Sequence, residues 1–491
     1  MLSCSRRERK SKLKKERPAL FRLCAVVCCL LSAAVASAAA SAAGARPKYV
    51  FLFIGDGMST PQRMTANEFS LKSGRGNLAM NAPPFQATTR TCSADSLVTD
   101  SAAAATAIAC GTKTLNGAVG VDAKGAPLES VASVAHRGGK AVGIVTTVTI
   151  NHATPAGFYG HRKGRGEGYG LGLDLLASGF DYFAGGGLSQ HDDREAAGYR
   201  GDVYALAKDA GYTFVCGDRA AFDALKPGGG KVWYVACEGA MPYAIDADAW
   251  AGVPTLAELT AKGIELLSPD PDGFFLMVEG GRIDWAGHAN DAATNLRDVL
   301  ALDDAVKVAL AFQEKYPEET LVVVTGDHET GGMTMGFAAT GYAFYMDRLV
   351  NQKCSADSLV AHIRATRPAD FAALQPFLAA NFGFDFTTTD VTRNPMAVTA
   401  DERKDLEAAF AHDLRLARAG KKENEAYDAQ KVSRLPTAVK ALFSHKCGIG
   451  WTSGAHTALP VLTTAQGRGA ERFVGFIDNT DLAKTLKDLV K

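Results

Sequence analysis

Apolar residues along this chain collect in short unbroken runs instead of alternating with polar ones. Tyr49-Val50-Phe51-Leu52-Phe53-Ile54, Ala141-Val142-Gly143-Ile144-Val145-Thr146, Phe274-Phe275-Leu276-Met277-Val278, Leu321-Val322-Val323-Val324-Thr325 and Phe473-Val474-Gly475-Phe476-Ile477 are rich in β-branched and aromatic side chains. Helical or polar stretches separate them. A run with no polar face predicts a strand covered on both sides, the pattern of a parallel sheet held between helices. The predicted fold is therefore α/β, a three-layer sandwich around a largely parallel central sheet. In such folds, sites form beyond the carboxyl ends of the strands.

The pattern changes between about Gly341 and Leu442, which read as polar, helix-rich material. Ala400 to Ala419 is strongly amphipathic, and Gly420-Lys421-Lys422-Glu423-Asn424-Glu425 is a solvated charge run. We expect a helix-rich insertion over 341–442 that caps the core, with 46–340 forming the first part of that core and 443–491 completing it. A surface subdomain that only decorates the molecule is the alternative.

The first 45 residues differ from the rest. They hold 9 Lys/Arg against 2 Asp/Glu, with the basic residues between Arg6 and Arg22 followed by an apolar run from Leu23 to Ala40. This is the layout of a signal peptide, assigned to 1–45, and small residues from Ala36 to Ser41 offer cleavage positions. An exported chain would then begin between about Ala38 and Arg46. A retained anchor helix is the alternative; no later run reaches the ~18 apolar residues a membrane span needs.

The full 491 residues, 47% hydrophobic and 22% charged, suffice for a large core. The 53 basic and 53 acidic residues balance only because of the leader, beyond which 44 and 51 remain. That argues against nucleic acid or an anionic membrane surface as a partner. Of ten cysteines, Cys4, Cys24, Cys28 and Cys29 lie in the leader. Export permits disulfides among Cys92, Cys110, Cys216, Cys237, Cys354 and Cys447, with connectivity open.

Reactive groups collect where the runs end. Gly55-Asp56-Gly57 follows the first, Glu279 the third and Asp327-His328 the fourth. A buried carboxylate is costly unless paired or metal-bound, so three at one sheet edge call for cations. Asp284 and His288, four apart, share one helix face, a spacing that suits a Zn²⁺ pair or a surface hydrogen bond. Trp451-Thr452-Ser453-Gly454-Ala455-His456-Thr457 puts a further His in a small-residue turn. In Asn151-His152-Ala153-Thr154-Pro155-Ala156 a hydroxyl precedes a Pro that favours a helix start, and Arg165 follows. Ser101, in Val98-Thr99-Asp100-Ser101-Ala102-Ala103, opens an Ala-rich helix either as a cap or as a nucleophile. The backbone N–H groups and positive dipole end of that helix would face an incoming anion.

Together Ile54-Gly55-Asp56-Gly57-Met58, Thr99-Asp100-Ser101-Ala102, His152-Ala153-Thr154-Pro155-Ala156, Val278-Glu279-Gly280, Ile283-Asp284-Trp285-Ala286-Gly287-His288, Thr325-Gly326-Asp327-His328-Glu329 and Ser453-Gly454-Ala455-His456 resemble the alkaline phosphatase family, in the family's order. The resemblance covers about Lys48 to Asp481. It implies hydrolysis of small-molecule phosphate monoesters, with broad specificity, through a phosphoserine on Ser101 and with two Zn²⁺ and one Mg²⁺ as cofactors. Position by position, it implies that Asp56 bridges one Zn²⁺ and the Mg²⁺. Asp327 and His328 would be the remaining ligands of that zinc, which would also bind the Ser101 oxygen, while Asp284, His288 and His456 would hold the second zinc. Thr154 and Glu279 would complete the protein share of the Mg²⁺ site, and Arg165, oriented by Asp100, would clamp phosphate. Insertions such as 341–442 often contact the other subunit in this family, so a homodimer is expected.

The residue chemistry suits these roles. Mixed His/Asp sets fit Zn²⁺ and an all-oxygen set fits Mg²⁺; metal coordination activates a serine hydroxyl; and the planar fork of an arginine matches two phosphoryl oxygens. Some members carry Asp and Lys where this chain has His152 and Trp285, and both changes remove charge near the metals. This pair resembles a subset of bacterial members; how tightly Mg²⁺ is held and whether phosphate gains a second cationic contact stay open, and weaker phosphate retention is expected. A phosphodiesterase, sulfatase or phosphomutase of the same superfamily would share much of the metal set. A sulfatase needs Cys/Ser-x-Pro-x-Arg, and Ser101-Ala102-Ala103-Ala104-Ala105 lacks it. An inactive phosphate- or metal-binding protein is the reading from another class, against which the full ligand set speaks.

Overall fold

A computed structural model of the chain describes residues 46–418 and 434–491. The leader and the 420–425 charge run lie outside the described residues. Pro47–Lys491 forms one compact unit. Its strands are β1 (Tyr49–Gly55), β2 (Phe85–Arg90), β3 (Ala141–Thr149), β4 (Tyr182–Gly186), β5 (Tyr212–Cys216), β6 (Lys231–Val235), β7 (Phe274–Gly280), β8 (Thr320–Gly326), β9 (Glu329–Thr330), β10 (Thr334–Met335), β11 (Ile449–Gly450), β12 (His456–Thr457), β13 (Val461–Gly467) and β14 (Gly475–Asp478). Ten of them make one sheet in the order β14-β2-β13-β8-β1-β7-β3-β4-β6-β5. Every pairing in it is parallel except those of β13 with β8 and β2.

The three layers follow from how β1 divides its side chains. Tyr49, Phe51 and Phe53 join one apolar cluster with Phe69, Leu259, Leu296 and Val306. Val50, Leu52 and Ile54 join the other with Ala102, Ile108, Leu171 and Leu486. Successive residues of a strand face opposite ways, so a run apolar at every position needs helices on both sides. The helices Thr60–Lys72, Leu256–Leu267 and Ala292–Lys315 cover one face. Ser101–Cys110, Gly168–Ser178 and Asn479–Val490 cover the other.

Four of the five apolar runs are central strands, β1, β3, β7 and β8. The fifth is not: only Gly475–Asp478 is strand, it lies at the sheet edge, and Phe476 is 72% exposed. A run beside a glycine at positive φ, Gly475, ends a turn here and leaves one face uncovered.

The described part of the stretch 341–442 shares the apolar interior of the core beneath its polar composition. Its helices Ala356–Thr366, Gln375–Phe382 and Ala400–Arg418 contribute Leu359, Phe382 and Phe410 to the cluster that holds Phe51 and Phe53. Gln352 donates to Asp291 Oδ1 at 2.6 Å, tying it to the helix Ala292–Lys315 by way of the capping residue. The six described cysteines are all free thiols, and burial pushes those of Cys110 and Cys354 up to about 12, which leaves them inert. Among the described residues, no helix is long and apolar enough to cross a membrane.

Candidate active site

Asp56, Glu279 and Asp327 leave the sheet at neighbouring levels because β1 pairs with both β7 and β8: Glu279 stands beside Ile54, and Asp56 and Asp327 follow two residues on, side by side. All three carboxylates are fully buried. The turn after β1 needs Gly57: its φ is +71°, and a Cβ there would lie 2.7 Å from Thr330 Oγ1 and 2.9 Å from Asp284 Cα. The Gly57 N–H donates to Asp327 Oδ1 at 3.0 Å, and the His328 N–H donates to the same oxygen at 2.9 Å. Asp56 Oδ1, Glu279 Oε1 and Asp327 Oδ2 have no hydrogen-bond partner among the described residues.

Three histidines turn bare nitrogens toward carboxylates, His328 toward Asp56 and Asp327, and His288 and His456 toward Asp284. His288 Nδ1 lies 2.8 Å from the Gly454 carbonyl and His456 Nδ1 lies 2.8 Å from the Thr99 carbonyl. A carbonyl only accepts, so each Nδ1 carries the proton and each Nε2 carries a lone pair when the ring is neutral. Those two Nε2 atoms stand 3.1 Å apart. The Thr330 hydroxyl donates to Asp284 Oδ1 at 2.5 Å and therefore accepts from His328 Nδ1 at 3.3 Å, which bares His328 Nε2 as well. His328 Nε2 is 3.3 Å from Asp56 Oδ1, 3.3 Å from Asp327 Oδ2 and 3.1 Å from Ser101 Oγ. Asp284 reaches His288 at 3.4 Å and His456 at 3.5 Å.

Ser101 is the first residue of its helix and not the cap. Asp100 is the cap, its Oδ1 accepting from the Ala103 N–H at 3.0 Å. The other Asp100 oxygen accepts from Arg165 Nη1 at 3.0 Å, so one carboxylate both starts the helix and aims the guanidinium. Arg165 Nη2 donates to His152 Nε2 at 3.2 Å. A guanidinium only donates, so His152 is neutral, with the proton on a buried, unpartnered Nδ1. Burial and then Arg165 lower its pKa to about 4. Each Nη of Arg165 retains a second N–H for an oxyanion.

The charge balance of this cluster points to cations. Burial pushes Glu279 up to about 8 and Asp327 up to about 7, and burial followed by the Asp327 charge raises Asp56 well above its ordinary range. Asp284 goes the other way: burial opposes ionisation, but His288 and His456, when their rings are protonated, donate to it and hold it well below the usual carboxylate range. Four buried carboxylates face one arginine, and lone pairs of two imidazoles face each other at hydrogen-bond distance. Metal ions answer both deficits at once. Ligating atoms of Asp56, Asp327 and His328 lie within 4.8 Å of one another, as do those of Asp284, His328 and His456, and those of Asp56, His152 and Glu279. His328 thus stands between two groups, and Thr154 donates to Asp56 Oδ2 at 3.3 Å at the edge of the third. Trp285 packs its ring 6.0 Å from that of His152.

All the residues singled out in the sequence therefore converge here. Three that matter were not singled out. The Thr146 hydroxyl donates to Glu279 Oε2 from the register position beside it on β3. Thr330 sets Asp284 and His328, and its partner across the β9–β12 ribbon is His456. Glu329 is buried too, yet its oxygens take Gln62 at 2.6 Å, the Gly332 and Met333 N–H groups at 3.0 and 3.2 Å, and the Thr457 hydroxyl. A carboxylate so fully satisfied by neutral donors fastens the loop and needs no cation. Hydroxyls and short ribbons of this kind carry no periodic signal in a sequence.

The alkaline phosphatase family model matches residues 47–491. Alkaline phosphatase 3 of Bacillus subtilis is 33% identical over 452 residues, 89% of this chain and 88% of that protein. The cold-active alkaline phosphatase of the psychrophile Shewanella sp. superposes with a TM-score of 0.75 at 29% identity, over 90% of this chain and 100% of the other. A histidine-to-aspartate variant of the alkaline phosphatase from the Antarctic bacterium TAB5, with Mg bound in the M3 site, superposes with a TM-score of 0.62 at 25% identity, over 91% and 98%.

Proposed function

Since this chain belongs to the alkaline phosphatase family and is a phosphatase, we propose that it hydrolyses phosphate monoesters with broad specificity through a phosphoserine on Ser101. The observation that carries this reading is the placement of Ser101 Oγ: buried, at a helix start, 3.1 Å from a bare imidazole nitrogen and among buried carboxylate oxygens with no partner. Asp56, Asp327 and His328 would hold one Zn²⁺, Asp284, His288 and His456 a second, and Asp56, Thr154 and Glu279 a Mg²⁺. When bound, these cations supply Lewis-acid stabilisation of the attacking and leaving oxygens.

The protein's own groups do the rest. Arg165 binds two phosphoryl oxygens with the N–H groups that Asp100 and His152 leave free, and the N–H groups of the helix start receive the third. The Ser101 oxygen displaces the alcohol in line, and water on the opposite face then releases inorganic phosphate. Little of the alcohol is recognised, which supports broad specificity. The basic-then-apolar leader supports export, and the helical stretch 341–442 supports a homodimer. The test is hydrolysis of a monoester and a diester side by side, with and without chelator. Monoester preference that chelator abolishes is expected; chelator-insensitive turnover or a diester preference would sink the reading.

Trp285 supplies a sharper prediction. It stands beside His152 with the Arg282 guanidinium 4.8 Å from its ring, so no ammonium reaches phosphate from this position. Trp285→Lys should therefore tighten inhibition by inorganic phosphate about tenfold, the effect of one added partly buried charge contact. Equal inhibition constants in the two proteins would count against a role for this position in product release.

A further inference from the structure

A cavity of about 260 Å³ opens along the helix Ala292–Lys315 and reaches Thr147, the neighbour of the Thr146 that donates to Glu279. Met241, Tyr243, Trp250, Val253 and Leu300 give it a mostly apolar wall, and Trp250 is 50% exposed. A volume just below the usual range for ligand sites suits a compact ligand of one or two rings.

Two polar side chains on this wall lack partners. Arg297 lies over the Phe69 ring at 5.1 Å, its Nε is buried and unbonded, and its guanidinium has no hydrogen-bond or ion-pair partner among the described residues. Burial, then the nearby Arg75, lowers its pKa. Arg75 also lines the cavity but is already engaged, by both oxygens of Asp304 at 2.7 and 2.8 Å. Asp298, the next residue, is 5% exposed; its Oδ1 accepts from the Ala244 N–H at 3.3 Å, and its buried Oδ2 accepts from nothing. Burial, opposed by the nearby Arg282 charge, pushes this carboxyl up to about 7, so it is ionised above neutral pH and accepts there. An unmatched planar fork beside a second guanidinium is made for a carboxylate, which takes two parallel N–H bonds. An unmatched buried carboxylate oxygen needs an N–H or O–H donor.

We propose that this cavity is a second ligand site, independent of phosphate hydrolysis, for small aromatic carboxylates that also bear an N–H donor. The carboxylate pairs with Arg297, the N–H meets Asp298, and the ring lies against Trp250 and Val253.

Calorimetric titration of the metal-loaded protein with indole-3-acetate tests this, in the presence of saturating inorganic phosphate. One-to-one binding is expected, at the same affinity without phosphate. Indole-3-acetamide and 1-benzothiophene-3-acetate, lacking the charge and the N–H respectively, should each bind about tenfold more weakly, as should Arg297→Gln towards the acetate. Val253→Phe, which narrows the cavity without touching the polar pair, should block binding, and both variants should keep wild-type melting temperature and monoester turnover. Displacement by phosphate, equal binding of the amide, or full affinity in both variants would overturn the proposal; equal binding of the benzothiophene would overturn the role given to Asp298.

Discussion

Ser101→Ala will lose at least about 10³-fold in kcat on an aryl phosphate, as removal of a nucleophile does elsewhere, while its fold and metal content stay unchanged. The separation of these effects follows from the cap. Asp100, not Ser101, accepts from the Ala103 N–H, so the alanine substitution removes no hydrogen bond that starts the helix. The Thr99 carbonyl that orients His456 is backbone and also survives. What disappears is the one oxygen placed to become phosphorylated. Acid quench during turnover of a labelled monoester should trap label on the wild-type protein and none on the variant. Turnover at the wild-type rate would show that another group attacks. Asp100→Ala should behave differently, losing about 1 kcal/mol of stability with the cap as well as the orientation of Arg165.

Chelation will abolish activity and will also make stability depend on pH in a way the metal-loaded protein does not show. Without cations, Glu279 is folded with its pKa near 8 and Asp327 near 7, both above their ordinary values. A carboxyl whose folded pKa is raised contributes stability below its unfolded value, near 4, and loses it as pH climbs through the folded value. His288 and His456, raised chiefly by Asp284 against an opposing burial, act in the same direction. Asp284, held low, stays ionised across this window and adds no slope. Burial holds His152 and His328 below their ordinary values, and these two favour the folded protein as pH rises to about 6.5. The chelated protein should therefore lose melting temperature mainly between about pH 6.5 and pH 8, and the gap to the reloaded protein should widen over that range. A constant gap would mean that the buried carboxylates are neutralised by something other than the removed ions.

The centre of the fold was open to a sequence reading because β1, β3, β7 and β8 are short runs, apolar on both faces and rich in β-branched and aromatic residues, which fits a doubly covered sheet better than a buried helix. The flanks were not. β2 alternates, with Ala87 and Thr89 buried between exposed neighbours, and β5 is partly exposed. Such strands resemble loops until their partners are known, and β14 erred in the opposite sense. The site divides likewise. Asp56, Glu279, Asp327, His328 and the Asp284–His288 pair stand at positions that strand ends and helix spacing pick out, whereas His456, Arg165 and Thr154 gained meaning only from the family resemblance. Thr146 and Thr330 came from neither, since a hydroxyl that orients a ligand leaves no pattern along the chain.

β13 is the strand that runs against the rest, and it lies between β8 and β2. During synthesis β2 is made early, yet its place in the sheet does not exist until Val461–Gly467 has left the ribosome. The same late segment brings His456 to Asp284. Until nearly the whole polypeptide has emerged, the growing chain holds an unpaired edge and an open-ended ligand set, a hazard for self-association. Closure of the sheet and completion of the proposed ligand set thus both wait on residues 456–467.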